Sequence, residues 1–163
     1  MLVLGLDPGT ATTGYGFVQE HDDGSLEAVA FGVIVTPAKT ATPQRLRQLY
    51  QAIMTLIEEH QPDAAAVEQL FFGRNITTAI SVAQGRGVLL LALADANLPV
   101  REYKPSEIKR AIAGYGNASK TQMQEMVRAL LNLEQAPRPD DAADALAVAI
   151  TDLHTSQFER LMD

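Results

Sequence analysis

The stretch "VLGLDPGTATTGYG" (residues 3–16) ends an apolar run with an aspartate and then breaks the chain. Residues 2–7 predict a buried strand that ends at Asp7, and Pro8-Gly9-Thr10 predicts a sharp turn. A glycine-rich turn after a strand is typical of phosphate binding, whereas an aspartate at a strand end is typical of a metal site. The remaining sequence decides between these interpretations.

The strand patterns that follow predict a mixed sheet. Tyr15–Gln19 and Leu26–Thr36 read as two further strands joined by short turns, which makes the first three strands an antiparallel meander. Ala64–Glu68 and Val100–Tyr103 read as later strands, each preceded by a helical pattern. We therefore predict an α/β fold with a mixed five-stranded sheet, three antiparallel strands and then parallel strands, and helices on both faces.

The helices are predicted from their end signals and apolar stripes. Thr42 is the predicted N-cap of the first helix, with Pro43 in its first turn, and "SKTQ" (residues 119–122) is a capping-box pattern. The predicted helices run from Thr42 to about His60, from Asn75 to Ala96, from Ser119 to Leu133, and from Pro139-Asp140 to about His154. The final "SQFERLMD" (residues 156–163) is predicted to be a loose tail.

Length and composition predict a single globular domain that spans residues 1–163. The chain has 47% hydrophobic and 20% charged residues, and its longest apolar run is too short to span a membrane. It has no cysteine, which excludes disulfides and thiolate metal sites. Because no basic segment precedes an apolar one at the start, we expect a cytoplasmic protein.

The charge is unevenly distributed along the chain. The net charge is −7, which by itself argues against a nucleic-acid partner. The segment from Gln69 to Arg128, however, has eight basic residues against four acidic ones. This excess is either ordinary surface scatter or a basic face on an acidic protein.

Four acidic residues from three distant segments could form one site. Asp7 and Glu68 each end an apolar strand, and ligands gather at strand ends in α/β sheets. Asp141 and Asp144, in "PDDAADALAVAI" (residues 139–150), are three apart and share a helix face. Each acid also has a structural interpretation, as a turn aspartate, a solvated strand end or a first-turn residue favoured by the helix dipole. Asp140 lies off the shared face and could be an N-cap.

This set of ligands would favour a hard divalent cation. It offers oxygen atoms only, which points to Mg²⁺ or Mn²⁺. Two such ions about 4 Å apart can activate a water molecule and stabilise the leaving oxygen of a phosphodiester. The alanines around Asp141 and Asp144 make that helix thin enough to pack close to a sheet.

Four motifs together resemble the RuvC Holliday-junction resolvases of bacteria. They are "LGLDPGTATTGYG", "VEQLFFGRN", "QGRGV" and "DDAADALAVAI", and they follow one another in the order and with the spacing of that family over almost the whole chain. The resemblance implies a ribonuclease-H-like fold and a homodimer. It also implies Mg²⁺-dependent nicking of two strands at a four-way DNA junction, in homologous recombination and DNA repair.

The same resemblance implies roles for individual residues. The family's metal-binding and catalytic acids match Asp7, Glu68, Asp141 and Asp144, with two ions per site for which Mn²⁺ can substitute. Phe71 matches an aromatic residue that contacts an unpaired base, and Lys109 and Lys120 match basic positions near the phosphate backbone. Arg74 and Arg86 are further candidates for DNA contacts. Cleavage is expected to give 5′-phosphate and 3′-hydroxyl ends, and the expected partners are the branch-migration proteins RuvA and RuvB.

The motifs are also compatible with rival functions. The opening motif resembles the phosphate loop of sugar kinases and actin-like ATPases as well, but those need a second domain, for which 163 residues leave no room. A YqgF-like nuclease acting on RNA and a non-catalytic junction-binding protein both stay open. The helix from Asn75 to Ala96 is apolar almost all round, so we also expect it to contribute, with Leu90, to a dimer interface.

Overall fold

A computed structural model describes residues 1–9, 11–69 and 76–162, and its centre is a five-stranded sheet. The strands are β1 (Leu2–Asp7), β2 (Thr12–Glu20), β3 (Leu26–Val35), β4 (Ala64–Glu68) and β5 (Val100–Tyr103). Their order across the sheet is β3-β2-β1-β4-β5. The first three strands are antiparallel to one another, whereas β4 is parallel to β1 and β5 is parallel to β4. The predicted mixed sheet is confirmed.

Helices cover both faces of this sheet, as predicted. Five are described: α1 (Thr42–His60), α2 (Ile76–Asp95), α3 (Pro105–Ala113), α4 (Lys120–Leu130) and α5 (Asp140–Met162). Side chains alternate along a strand, so Leu4 of β1 packs towards α1 and α2, whereas Val3 packs towards α3, α4 and α5. The sheet therefore separates two apolar cores, each closed by its own helices.

The helix α5 lies unusually close to β1 and β2 because both strands carry glycine where it crosses. A Cβ atom added at Gly5 would lie 2.0 Å from the Ala145 carbonyl oxygen, and one at Gly14 would lie 1.9 Å from that of Asp141. No side chain fits at such distances, since the obstructing atoms are backbone. Small residues on both elements thus bring the first turn of α5 down onto the end of β1.

Several predicted boundaries are wrong by one to a few residues. Ala41, not Thr42, is the N-cap of α1, because the Ala41 carbonyl accepts the first helical hydrogen bond from Arg45 at 3.0 Å. β2 begins at Thr12 rather than Tyr15, because its first two residues pair with β3, Thr12 with Val35 and Thr13 with Ile34. The Ser119 N-cap is confirmed with its reciprocal bonds to Gln122, but α4 ends at Leu130. The predicted start of α2 at Asn75 lies outside the described residues.

The helix α3 was not predicted from the sequence. Its start has Pro105 in the first turn, and the Glu107 carboxylate accepts a hydrogen bond of 2.7 Å from the Lys104 backbone N–H. Gly114 ends it in a left-handed conformation, with φ +88°. The signal was present in "KPSEIKRAIAG", where a proline start and a glycine stop enclose a short amphipathic stretch.

The final residues do not form the predicted loose tail. The helix α5 continues through them as far as Met162. Arg160 donates to both carboxylate oxygens of Glu20 at 2.9 and 2.7 Å, and Glu159 accepts a hydrogen bond of 2.8 Å from Arg101. These contacts join the last turns of α5 to the sheet, and their partners lie too far away in the sequence for a local pattern to reveal them.

Candidate active site

Asp7 and Glu68 lie side by side because they end neighbouring parallel strands. The register pairs Leu6 with Val67, so the residue after each of them projects at the same edge of the sheet. The two carboxylates are within hydrogen-bonding reach of each other. The interpretation of both acids as strand-end ligands therefore fits the geometry.

The first turn of α5 adds two more acids to this edge. Gly14 pairs with Asp7 across β1 and β2, and the backbone of Asp141 lies against that glycine. As a result, Asp7, Asp141 and Asp144 each place a carboxylate oxygen within 4.8 Å of the others. We call Asp7, Glu68, Asp141 and Asp144 together the carboxylate cluster.

The environment of the cluster opposes negative charge. Burial, together with repulsion from Glu68 and Asp144, raises the pKa of Asp7 to about 9. Burial also raises the pKa of Glu68, although Lys109 acts in the opposite direction. The pKa of Asp144 is raised by burial as well, and the ammonium group of Lys120 offsets part of that effect. Without a bound cation, Asp7, Glu68 and Asp144 therefore keep their protons to a higher pH than ordinary carboxyl groups.

The donor set of the cluster fits a hard divalent metal ion. Asp7, Asp141 and Asp144 lie close enough to share an ion, and Glu68 adds a carboxylate beside Asp7. The set offers carboxylate oxygens and no sulfur or imidazole ligand, which is what Mg²⁺ and Mn²⁺ prefer. Within the described residues, the only ion pair to the cluster is that of Lys120 with Asp144, at 3.9 Å. Carboxylates brought together at this cost are typical of a metal centre.

Two lysines stand over one side of the cluster. Lys109 from α3 and Lys120 from α4 line a cavity of about 310 Å³ together with Glu68 and Asp144. The remaining wall is apolar, contributed by Pro105, Ile108, Met123 and Ala147. Positive groups beside a carboxylate cluster suit a phosphate group that approaches a metal. The structure thus brings both sequence-predicted lysines to the site.

Asp140 is separate from the cluster. Its carboxylate accepts hydrogen bonds from Gln124 at 3.0 Å and Arg138 at 2.6 Å, and Lys120 lies 3.3 Å away. The hydrogen bond from Lys120 lowers the pKa of Asp140, whereas the pKa of Asp144 is raised. Asp140 is therefore paired with basic and amide groups, while Asp141 and Asp144 face Asp7.

Arg86 lies at the edge of the cleft that contains Asp7 and Glu68, where it is paired with other groups of the protein. Its guanidinium forms a 2.9 Å ion pair with Glu102 and approaches the backbone carbonyl of Glu68 at 3.5 Å. The side chain is only 17% exposed. The geometry thus places Arg86 where it supports the end of β4, and its contact with DNA stays a prediction. Phe71 and Arg74 lie outside the described residues.

Gly14 is the residue that sequence reasoning overlooked. Its lack of a side chain allows Asp141 to reach the end of β1, so the site depends on it without any chemistry of its own. The available signal was the alternation of glycine with other residues in "TGYG" (residues 13–16), which is unusual in a strand interior and marks a close approach.

Comparisons with known proteins agree over nearly the whole chain. Residues 3–152 match the family described as "Crossover junction endodeoxyribonuclease RuvC". A relative of that name from Chloroflexus aggregans is 58% identical over 156 residues, which cover 96% of this chain and 94% of the relative. The structure of RuvC from Thermus thermophilus is similar with a TM-score of 0.91 and 34% identity, covering 98% of this chain and 97% of that one. The T. thermophilus RuvC complex with a Holliday junction substrate matches with a TM-score of 0.88 and 31% identity, covering 97% and 96%.

Proposed function

The chain belongs to the RuvC family of crossover junction endodeoxyribonucleases, and on this premise we propose that it resolves four-way (Holliday) DNA junctions as a metal-dependent endonuclease. The observation that carries the proposal is the convergence of acids from β1, β4 and α5 at one edge of a ribonuclease-H-like sheet. A kinase-like phosphate loop would not need the acids of β4 and α5 at this point. The expected reaction introduces paired, symmetric nicks into the four-way junctions of homologous recombination and DNA repair.

Asp7, Glu68, Asp141 and Asp144 hold the metal in this proposal. We infer that the ion is Mg²⁺, with two ions per site, and that Mn²⁺ can substitute, since all the donors are carboxylate oxygens. When bound, the ions supply the charge that activates water and stabilises the leaving oxygen of a phosphodiester. The ends produced are then a 5′-phosphate and a 3′-hydroxyl.

The protein's own basic and aromatic side chains hold the DNA. Lys109 and Lys120 line the open side of the cluster, where they can neutralise a phosphate oxygen. We propose that Phe71 stacks on an unpaired base, an interaction worth about 1–3 kcal/mol. Arg74 and Arg86 complete the proposed set of DNA contacts.

We propose that α2 forms the interface of a homodimer. By length and composition α2 could cross a membrane, yet Leu89 and Leu93 on its inner side are fully buried in the core. On its outer side, Ile80 and Leu91 are 56% and 55% exposed. A second copy of the chain is the occupant that fits, because a two-fold dimer presents two active sites to the two opposed strands of a four-way junction. Leu90, the residue predicted for the interface, is partly buried against the core.

Further partners and the location follow from the family. We propose that the enzyme cooperates with RuvA and RuvB, which move the branch point before cleavage. We place it in the cytoplasm, where a bacterial chromosome recombines and where a protein without cysteine needs no oxidising environment.

The proposal is tested with a synthetic four-way junction whose core can migrate, and with a linear duplex of the same sequence as the control. The protein and its Asp7→Asn variant are compared with no metal, with Mg²⁺ and with Mn²⁺. Paired symmetric nicks in the junction alone, dependent on metal and on Asp7, are expected. Tight binding without cutting under any metal would support a non-catalytic binding protein instead. Absence of both would redirect the test to RNA substrates and a YqgF-like function.

A further inference from the structure

A second cavity lies beside the carboxylate cluster, on the other side of the turn that follows β1. It has a volume of about 50 Å³, enough for several water-sized oxygen atoms. The first turn of α1, the strand ends around Gly9 and one side of α2 form its walls. Its polar lining consists of Thr13, Thr36, Thr42, Arg45, Ser81 and Gln84. We call it the Arg45 cavity.

Thr13 brings a buried hydroxyl to this cavity. The residue is only 4% exposed, and none of the described residues forms a hydrogen bond with its side chain. Every fully enclosed side-chain nitrogen or oxygen among the described residues does have a partner. The Thr13 hydroxyl therefore opens to the cavity, where a ligand or a water molecule can hydrogen-bond to it.

The electrostatics of the Arg45 cavity favour an anion. Thr36, itself 8% exposed, accepts hydrogen bonds from both Nε and Nη2 of Arg45 at 3.2 Å, which fixes the guanidinium at the wall. None of the described residues that line the cavity is acidic. The first turn of α1 contains no acid, and Ala41 provides no capping side chain. The positive end of the helix dipole is thus available to an oxyanion.

The cavity and the carboxylate cluster share a wall. Ser81 and Gly85 of α2 line the Arg45 cavity, whereas the next residues, Val82 and Arg86, line the cleft that contains Asp7 and Glu68. Gly9 lies two residues beyond Asp7 and contributes to the cavity. A DNA strand whose phosphate reaches the cluster can therefore extend to the Arg45 cavity.

We propose that the Arg45 cavity binds a second backbone phosphate of the strand being cut, one that flanks the scissile phosphate. Arg45 supplies the charge, the Thr13 hydroxyl donates a hydrogen bond, and the first turn of α1 contributes its dipole. The cavity fixes the register of the strand, so that one particular phosphate reaches the carboxylate cluster. This inference rests on the proposed function, because it requires junction DNA as the substrate.

The test is a double-mutant cycle that combines substitutions in the protein with modifications of the DNA. A fluorescent four-way junction is prepared in versions that each carry one neutral methylphosphonate near the cut site. Affinities are measured with Mg²⁺ in the Asp7→Asn background, which leaves the DNA uncut. Arg45→Gln is added to that background, and Arg47→Gln is the matched control, since Arg47 lies on the same helix outside the cavity lining.

Arg45→Gln should weaken junction binding about tenfold and reduce the slope of log affinity against log salt by about 0.9, the value for one phosphate contact. Arg47→Gln should leave the affinity and the salt slope each within about twofold of the values for the starting protein. A methylphosphonate at one position should weaken junction binding by the parent protein but should not weaken binding by Arg45→Gln any further. Equal behaviour of Arg45→Gln and Arg47→Gln at every methylphosphonate position would overturn the proposal.

Two further variants distinguish the loss of a phosphate contact from a folding defect. Thr13→Val keeps the shape of the buried side chain and removes its hydroxyl. It should weaken binding to the unmodified junction, and this effect should shrink when the same phosphate is replaced by methylphosphonate. Arg45→Lys should recover part of the affinity because it keeps the charge. Failure of the subsite is distinguishable from failure of the proposed function: in the second case the unaltered protein would not prefer the junction to a linear duplex at all.

Discussion

Among single residues, Asp7 is the one whose ionisation the fold opposes most. It lies at the end of a buried strand with three other carboxylates around it, and its pKa is raised to about 9. An unfolded aspartate has a pKa near 3.8. The native state therefore binds a proton that the unfolded chain releases, and stability in the absence of metal falls as the pH rises between these two values.

Replacing Asp7 by Asn should stabilise the metal-free protein at pH 8 while it abolishes cleavage. Asparagine removes the charge that burial and the neighbouring acids oppose. The gain in the free energy of unfolding should be at least about 1.4 kcal/mol, which is one pKa unit. It should shrink as the pH is lowered towards 4, where the wild-type carboxyl is protonated in both states. Urea unfolding in EDTA at several pH values measures this gain in the free energy of unfolding.

Added Mg²⁺ provides the control for this prediction. It should raise the midpoint of thermal unfolding of the wild type more at pH 8 than at pH 6, because protons compete with the ion for the cluster. The Asp7→Asn variant should respond much less at both pH values. A variant that is less stable than the wild type at pH 8 in EDTA would contradict this account of the site.

Lys120 should matter for cleavage more than for binding. Its ammonium group lies 3.3 Å from Asp140 and 3.9 Å from Asp144, at the open side of the cluster. Lys120→Gln should lower the rate of cleavage of bound junction about 100-fold, as expected for a group that stabilises developing charge. Single-turnover assays at saturating protein separate this effect from affinity. Lys39→Gln, at an exposed position, serves as the charge-matched control and should cut normally.

Among the elements, α5 decides whether the site exists. Asp141 and Asp144 reach Asp7 because Gly14 and Gly5 let the helix approach the sheet closely. The alanines of α5 contribute to the same approach, since Ala142, Ala145 and Ala149 are fully buried. Catalytic geometry here depends on residues that carry no functional group.

Gly14→Ala should separate the acids of α5 from those of the sheet. The new methyl group would lie 1.9 Å from the Asp141 carbonyl oxygen, so the helix has to move. Stability should fall by about 1–3 kcal/mol, as for other overpacked sites. Cleavage should fall about 100-fold, since a displacement of about 1 Å has that effect in active sites. Urea unfolding and single-turnover cleavage measure the two effects.

Gly116→Ala is the matched control for that substitution. A Cβ atom at Gly116 would meet nothing closer than the Ser106 carbonyl oxygen at 3.9 Å, which is ordinary contact. It should therefore leave stability and cleavage close to those of the wild type. Normal cleavage by Gly14→Ala would show that the approach of α5 is not what assembles the site.

At the scale of the whole molecule, the outer face of α2 should decide the oligomeric state. Leu91→Asp places a charge in the proposed interface without touching the core, since Leu91 is 55% exposed. Sedimentation should show a monomer. The variant should still unfold cooperatively and should nick junction strands one at a time instead of in pairs. Phe158→Asp, at an exposed apolar position on α5, should remain a dimer. A fully dimeric Leu91→Asp protein would contradict the interface.

Much of the fold was predictable because its signals are local. The apolar run before Asp7, the alternation in the strands and the Ser119 capping box each lie within a few residues, and the structure confirms the sheet and most of its helices. Two elements show where local signals fail. The helix α3 is short, and its weak signal lies between stronger ones. The last turns of α5 are held by Glu20 and Arg101, which are remote in sequence.

By itself, the sequence determined the order of most elements, the acids at the ends of β1 and β4, and the resemblance to one family. Only the tertiary structure decided which groups meet. It brought Asp141 and Asp144, but not Asp140, to Asp7, it turned Arg86 towards Glu102, and it formed the Arg45 cavity. The physical reason is the distance along the chain over which each kind of interaction acts. Strand and helix preferences act over a few residues, whereas the distance between two carboxylates from separate segments depends on how closely their elements pack, here set by glycine and alanine at the crossing of α5.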